Sequence, residues 1–224
     1  MEKIFIGNNF LSKINQLFDF SRFSKLAILT DTNVAKHWLL PLKKSLKKKT
    51  SEIIIQPGEK EKNIKTVKNI WKKMFDFGLD RKSLLINLGG GVICDIGGFS
   101  ASTFMRGIEF LNIPTTLLAQ VDASVGGKTG IDFEGIKNGI GVFKNPMRVI
   151  IDVAVAKVKE QRPHFSPSIT VKVPDEPYVD THGFSMIEDE LYIALDNISK
   201  HSGRKISHEV TIEEIGRASC RERV

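Results

Sequence analysis

The stretch "SLLINLGGGVICDIGGF", residues 83–99, decides the fold. A short run of strand length leads directly into three glycines, Gly89, Gly90 and Gly91, and Val92 to Met105 then reads as a helix. Strand, glycine turn and helix in that order form the opening unit of a parallel α/β sheet. Such a turn lets backbone approach a ligand closely, while the helix N-terminus supplies amides and positive potential. The spacing departs from the standard dinucleotide fingerprint, because Cys94 stands at the position of its third glycine.

The same plan recurs on either side. "KLAILTDTN" (25–33) is apolar and ends in polar turn formers, and "SEIIIQPGEKEKN" (51–63) carries three isoleucines before Pro57 and Gly58. Ile64, Val67, Trp71, Met74 and Phe75 lie on one helical stripe, and Gly78 stands where that helix stops. "IEFLNIPTT" (108–116) and "RVIID" (148–152) return to strand. Apolar strands alternating with helices predict a Rossmann-like, mostly parallel α/β sheet covered on both faces, spanning residues 1–153. Ligands collect at the carboxyl ends of such strands. Here those ends read TDTN, PGEK, GGG and PTT.

Residues 154–224 stay unassigned. "KEQRPHFSPSITVKVPDEPYVDTHGF" is rich in proline and charge without a period, and the terminal "GRASCRERV" suggests vector-derived sequence. This part is expected to be foreign or a poorly ordered tail. His164, His182, His201 and His208 all fall in it, and none forms an i, i+4 pair about a glutamate. No metal ligand is assigned.

Bulk composition excludes several classes. The chain has 224 residues, a net charge of +7 and only two cysteines, Cys94 and Cys220. Neither a disulfide framework nor a four-cysteine zinc site can be built, which fits a reducing cytoplasm. The N-terminus lacks the pattern of a signal peptide, and no apolar run approaches the roughly 18 residues of a membrane span. "LKKSLKKKT" (42–50) reads as a solvated helix end, since nucleic-acid binders usually add stacking residues or a recognisable module.

Gly127-Lys128-Thr129 resembles the end of a P-loop, but Asp122 occupies the position of the motif's first glycine, where a carboxylate would repel phosphate. "LLAQVDAS" (117–124) also reads as helix rather than as the leading strand. Lys128 therefore serves another purpose. Asp122, Lys128, Lys137 and Asn138 lie among Gly126, Gly127, Gly130, Gly135 and Gly139, a mobile segment suited to closing over a polar, anionic substrate. Thr115 and Thr116 place two hydroxyls directly after a strand. Asp95 and Arg106, at the two ends of one helix, have the simpler reading of dipole compensation.

"LGGGVICDIGGFSASTFMRGIEFLNIPTTLLAQVDASVGGKTGID", followed by "GIKNGIGVFKNPMRVIID", resembles the 3-dehydroquinate synthase family. The resemblance is dense over residues 84–152 and sparser upstream, covering about two-thirds of the chain. It implies an NAD-dependent carbon-oxygen (phosphate) lyase of the shikimate pathway that converts 3-deoxy-D-arabino-heptulosonate 7-phosphate to 3-dehydroquinate and phosphate. It implies Asp31, Asn33, Glu59, Lys60, Gly89, Gly90, Gly91, Asp95, Thr115 and Thr116 as NAD contacts. Arg106, Asp122, Lys128, Lys137 and Asn138 would hold the phosphorylated sugar acid. The family also carries a zinc or cobalt ion on a helical C-terminal domain and is often homodimeric. Its Ala-Glu-Val-Ile-Lys and Asn-Trp-Gly-His motifs do not occur here, and "THGF" around His182 only echoes its later histidine. The chain alone is therefore expected to be inactive. The alternatives are a related sugar-phosphate cyclase making an aminocyclitol or valiolone precursor, or a non-catalytic NAD-binding module.

Overall fold

The computed structural model describes residues 3–7, 9–152 and 155. The expectations for residues 154–224, including those for the four histidines, otherwise lie outside the described residues.

Six strands form one parallel sheet: β1 Lys3–Gly7, β2 Leu26–Asp31, β3 Thr50–Ile55, β4 Leu84–Gly89, β5 Glu109–Pro114 and β8 Arg148–Asp152. Their order across the sheet is β1-β8-β5-β4-β2-β3. β2 and β4 are buried at every residue because strands and helices flank them on all sides. Their near-continuous apolar runs follow from that placement. The edge strand β1 pairs only with β8 and escaped the sequence reading, being five residues with only three apolar positions.

Alternation along the strands splits the core into two layers. Ile28, Leu84, Ile86, Leu88, Leu111 and Ile113 face α1 Phe10–Leu17 and the helical segment 32–45. That segment begins as α2 Thr32–Val34, widens through one π-turn at Ala35–Leu39, and ends as α3 Leu40–Ser45. On the other layer Leu29, Leu85 and Phe110 pack under α4 Ile64–Asp76 and α5 Gly91–Thr103. Each fully buried large apolar side chain contributes about 1.5–3 kcal/mol, so the two layers dominate stability. The Asn63 side chain starts α4 by accepting the Thr66 amide at 2.9 Å, and Gly78, at φ 63°, ends it.

From β2 the chain moves outward to β3, then crosses back to β4 on the opposite side of β2. The order reverses between β2 and β4, the kind of switch point at whose carboxyl ends, here Asp31 and Gly89, open α/β sheets bind ligands.

Two segments differ from the sequence reading. The helix expected to run to Met105 stops at Thr103, and Met105, Arg106 and Gly107 take φ values of 50°, 72° and 108°. The glycine-rich segment expected to be a mobile loop is an antiparallel hairpin, β6 Lys128–Phe133 and β7 Ile136–Phe143. Its glycines allow close approach: Gly130 faces Gly141, and a Cβ on Gly141 would stand 2.3 Å from the Thr129 carbonyl oxygen. β6 lies along α5, with Thr129 filling the space above Gly98. β7 faces outward and hides no apolar stripe from which periodicity could be read.

Candidate functional site

Three strand ends and the start of α5 build the site. At the end of β2 the Asp31 carboxylate accepts the amides of Asn33 and Val34 at 2.8 and 2.9 Å, capping α2. Asp31 is buried and Asn33 exposed at the rim. At the end of β4 Gly90 precedes α5 without any side-chain cap, so the first amides of that helix point outward with no protein oxygen from a cap. A Cβ on Gly90 would lie 3.2 Å from Thr116 Cγ2, and one on Gly91 would lie 3.3 Å from the Ala123 Cβ. Both glycines therefore sit against side chains that leave little space for a Cβ. At the end of β5 the Thr115 amide donates to the Gly89 carbonyl at 3.0 Å, while its buried hydroxyl has no partner among the described residues.

An uncapped helix N-terminus, a glycine turn, an orphan buried hydroxyl and an acid at the neighbouring strand end fit a dinucleotide. A catalytic metal is different. Among the described residues no three His, Cys, Asp or Glu side chains stand close enough together to hold a metal ion, so the expected zinc or cobalt has no site there.

After β3, Glu59 and Lys60 lie exposed on a short 3₁₀ turn, Glu59–Glu61. The residue that turns inward is Lys62, only 5% exposed, which pairs with Asp95 at 2.5 Å. Sequence reasoning missed it, because "EKEK" looks uniformly solvated. Burial raises the Asp95 pKa above its ordinary value. Hydrogen bonding and attraction from Lys62 oppose the rise, whereas Glu59 and Asp122 add to it. Glu59, Lys62, Asp95 and Asp122 therefore share one electrostatic environment. Asp95 does more than compensate a dipole.

Asp122 lies exposed on a π-turn, Ala119–Ala123. Two buried amides fix the end of that turn: Asn112 Nδ2 donates to the Ser124 carbonyl, and Asn87 Nδ2 donates to Asn112 Oδ1, both at 2.9 Å. Asn87 fits inside the sheet because the facing residue of α5 is Gly97, where a Cβ would stand 2.0 Å from Asn87 Oδ1.

The hairpin runs the length of α5. Its far end meets the Lys62 loop, where the Asp132 amide donates to the Lys62 carbonyl at 2.8 Å. Asp132 Oδ1 also accepts the Asn138 amide at 2.8 Å, holding Asn138 at φ 52°. Lys137 and Asn138 are exposed on β7. Lys128 begins β6 at the opposite end, toward the Arg106 turn. The structure thus gathers Glu59, Asp95 and Asp122, sets Gly90 against Thr116, and brings the Arg106 and Lys128 turns together at the other end of α5. Lys60 stays outside these groupings.

Comparison with known proteins gives these features a family. Residues 52–165 match the family model described as 3-dehydroquinate synthase N-terminal. The chain is 46% identical over 163 residues to the bifunctional 3-dehydroquinate synthase/phosphatase of Fusobacterium nucleatum, covering 72% of this chain and 24% of that protein. It is 37% identical over 209 residues to the 3-dehydroquinate synthase of Ruminiclostridium cellulolyticum, covering 90% and 58%. The chain thus spans well under two-thirds of the curated relatives it matches. A 2-deoxy-scyllo-inosose synthase, solved with carbaglucose-6-phosphate, NAD+ and Co2+, superposes with a TM-score of 0.65 at 22% identity, over 68% of this chain and 43% of that one. That likeness concerns the fold alone. ValA, the 2-epi-5-epi-valiolone synthase of Streptomyces hygroscopicus solved with NAD+ and Zn2+, gives 0.63 at 27% identity, over 69% and 44%. With its glycine turn, its paired threonines and its Lys-Thr hairpin all inside the matched range, the chain belongs to the 3-dehydroquinate synthase N-terminal family.

Proposed function

We propose that this chain is the NAD-binding half of a 3-dehydroquinate synthase, acting on 3-deoxy-D-arabino-heptulosonate 7-phosphate in the shikimate pathway as a phosphate lyase. The observation that carries the reading is the uncapped start of α5 beside the orphan Thr115 hydroxyl, at the point where the strand order reverses. Identities of 37–48% to 3-dehydroquinate synthases support that substrate over those of the other cyclases, which share 22–27%.

NAD, when bound, supplies a hydride acceptor for the substrate's C5 hydroxyl. The α5 amides and the Gly89–Gly91 turn hold its diphosphate, and Thr115 and Thr116 donate hydroxyls nearby. Asp31 takes a ribose hydroxyl, with Asn33 beside it at the rim. Glu59 and the Lys62–Asp95 pair line the nicotinamide side, with Lys60 at the solvent edge. Asp122 orients a substrate hydroxyl; Lys137 and Asn138, nearest the Lys62 loop, meet the carboxylate, and Arg106 and Lys128, toward the other end of α5, meet the phosphate. Cations set against a leaving phosphate stabilise the charge that builds on it, commonly the largest catalytic contribution.

The proposal includes a cytoplasmic, homodimeric enzyme whose divalent metal is held outside the described residues, and no nucleic-acid partner. Two of the five lysines in the basic run are already engaged, Lys43 with Glu52 and Lys48 with the Phe23 carbonyl, which leaves a poor phosphate track. Among the described residues no helix is long and apolar enough to cross a membrane.

The test joins residues 1–153 to the remaining half of the Ruminiclostridium relative. With NAD and cobalt, the chimera should release phosphate from the heptulosonate phosphate, but not from glucose 6-phosphate or sedoheptulose 7-phosphate. Turnover of either sugar phosphate instead would assign a different cyclase, and a folded chimera that binds no NAD would end the proposal.

A further inference from the structure

Lys144 directly follows β7, is half-buried, and belongs to neither ion pair among the described residues. Its amide donates to the Gly127 carbonyl at 2.9 Å, and its ammonium donates to the Ile108 carbonyl at 2.9 Å. Gly127 immediately precedes Lys128, and Ile108 stands two residues after Arg106. One residue therefore bonds to both cation-bearing turns.

Packing reinforces the link. A Cβ on Gly107 would stand 3.4 Å from the Lys144 ammonium. One on Gly127 would stand 2.8 Å from the Asn145 amide nitrogen and 2.9 Å from the Lys144 carbonyl carbon. The Arg106 turn uses backbone that a free chain rarely holds, with φ 50° at Met105 and 72° at Arg106, whereas in the Lys128 turn the positive φ of 66° falls on Gly127, which adopts it freely. Positive φ at non-glycine residues persists only where surrounding contacts over-determine it. Here the Lys144 ammonium helps close the Arg106 turn, and the Lys144–Asn145 peptide supports the Lys128 turn.

We propose that Lys144 is a positioning residue that clips the Arg106 turn to the Lys128 turn, fixing where the two cations meet an oxyanion. The proposal rests on the reading of Arg106 and Lys128 as substrate-phosphate groups. The Ile108 carbonyl takes one of the three ammonium donors and anchors Lys144 between the two turns, which is the positioning role. Lys144 adds positive potential behind the site, and it removes the freedom that two independent turns would otherwise lose on binding.

Titration calorimetry on the full 224-residue chain at saturating NAD, with inorganic phosphate as the probe, tests this. The wild type should bind phosphate, and Lys128→Ala should abolish that binding. Lys144→Met, which keeps the apolar stem but loses the donor, should weaken phosphate by about tenfold, equivalent to about 1.4 kcal/mol, with NAD affinity unchanged. Lys144→Arg, which restores a cationic donor, should recover most of the loss. If Lys144→Met does not fold, Lys144→Gln takes its place in the comparison. Full phosphate affinity in the Lys144 variant alongside its loss in Lys128→Ala overturns the clip and leaves the functional reading standing. A parallel loss of NAD and phosphate affinity shows a general structural role and also overturns it. No phosphate binding by the wild type, or no effect of Lys128→Ala, removes the reading on which the clip depends.

Discussion

Replacing Lys62 by Met should destabilise the chain in a way that depends on pH. The Lys62–Asp95 pair is close, and its side chains are 5% and 16% exposed. Removing one partner of a buried pair costs about 3–5 kcal/mol, because the other charge is left uncompensated. Asp95 keeps some contact with water, which places the expected loss near the lower end, about 3 kcal/mol. With a urea m-value of about 2 kcal/mol per molar, the unfolding midpoint at pH 7 should fall by about 1.5 M. The sign of the pH effect follows from the raised Asp95 pKa. A folded-state pKa above the unfolded one means the folded chain holds a proton that the unfolded chain has released, so stability falls as pH rises between those two values. Lys62 opposes the rise in the wild type. Without it, the window extends upward from the ordinary carboxylate range, and the variant should recover much of its loss at pH 5 as Asp95 takes up a proton. Lys62→Met combined with Asp95→Leu should return to within about 1 kcal/mol of wild type, as apolar replacements of buried pairs often do. A loss under about 1 kcal/mol, or one equal at pH 5 and pH 7, would refute the claim that Lys62 neutralises a buried carboxylate.

Three further outcomes follow from the same geometry. Gly97→Ala places a methyl against Asn87 and should cost about 1–3 kcal/mol in urea unfolding, with Asn87→Ala restoring most of it; additive losses in the double variant would show that the two sites do not touch. Gly90→Ala suits the local backbone, at φ −75° and ψ −170°, and brings a methyl 3.2 Å from Thr116 Cγ2, so stability should fall by no more than about 1 kcal/mol while NAD affinity falls about tenfold in calorimetry. Unchanged NAD affinity would place the diphosphate elsewhere. Asp31→Asn keeps an oxygen to cap α2, so the thermal midpoint should hold. Loss of the carboxylate should narrow the preference for NAD over NADP, and an unaltered preference in competition binding would remove Asp31 from the ribose.

The sheet was legible because its central strands are enclosed on every side. Burial of Leu26–Asp31 and Leu84–Gly89 forces apolar runs that polar turn formers then end. The glycine turn was legible for a related reason, since helix, strand and ligand must approach closely there. β7 was not. All but one of its residues are exposed, so burial imposes no alternation, and its glycines read as loop formers rather than as the small residues a tight hairpin needs. Lys62 was hidden because charge in a sequence implies water, while this charge is buried by a partner 33 residues away. Asn87 is the inverse case, a polar residue tolerated in a buried strand only because Gly97 leaves it space and Asn112 accepts its amide. Cys94, at the place of the fingerprint's third glycine, is a packing residue: it is buried, and burial pushes its thiol pKa up.

The central claim is that a nicotinamide dinucleotide lies across the strand ends with its diphosphate on the start of α5. Amide-resolved NMR of the chain during an NAD titration tests it most directly. The account predicts saturable, one-to-one shifts concentrated on Gly90–Ile93 and Thr115–Thr116, with little change along Lys43–Lys49. Shifts confined to that lysine run, or none at saturating NAD, would contradict it.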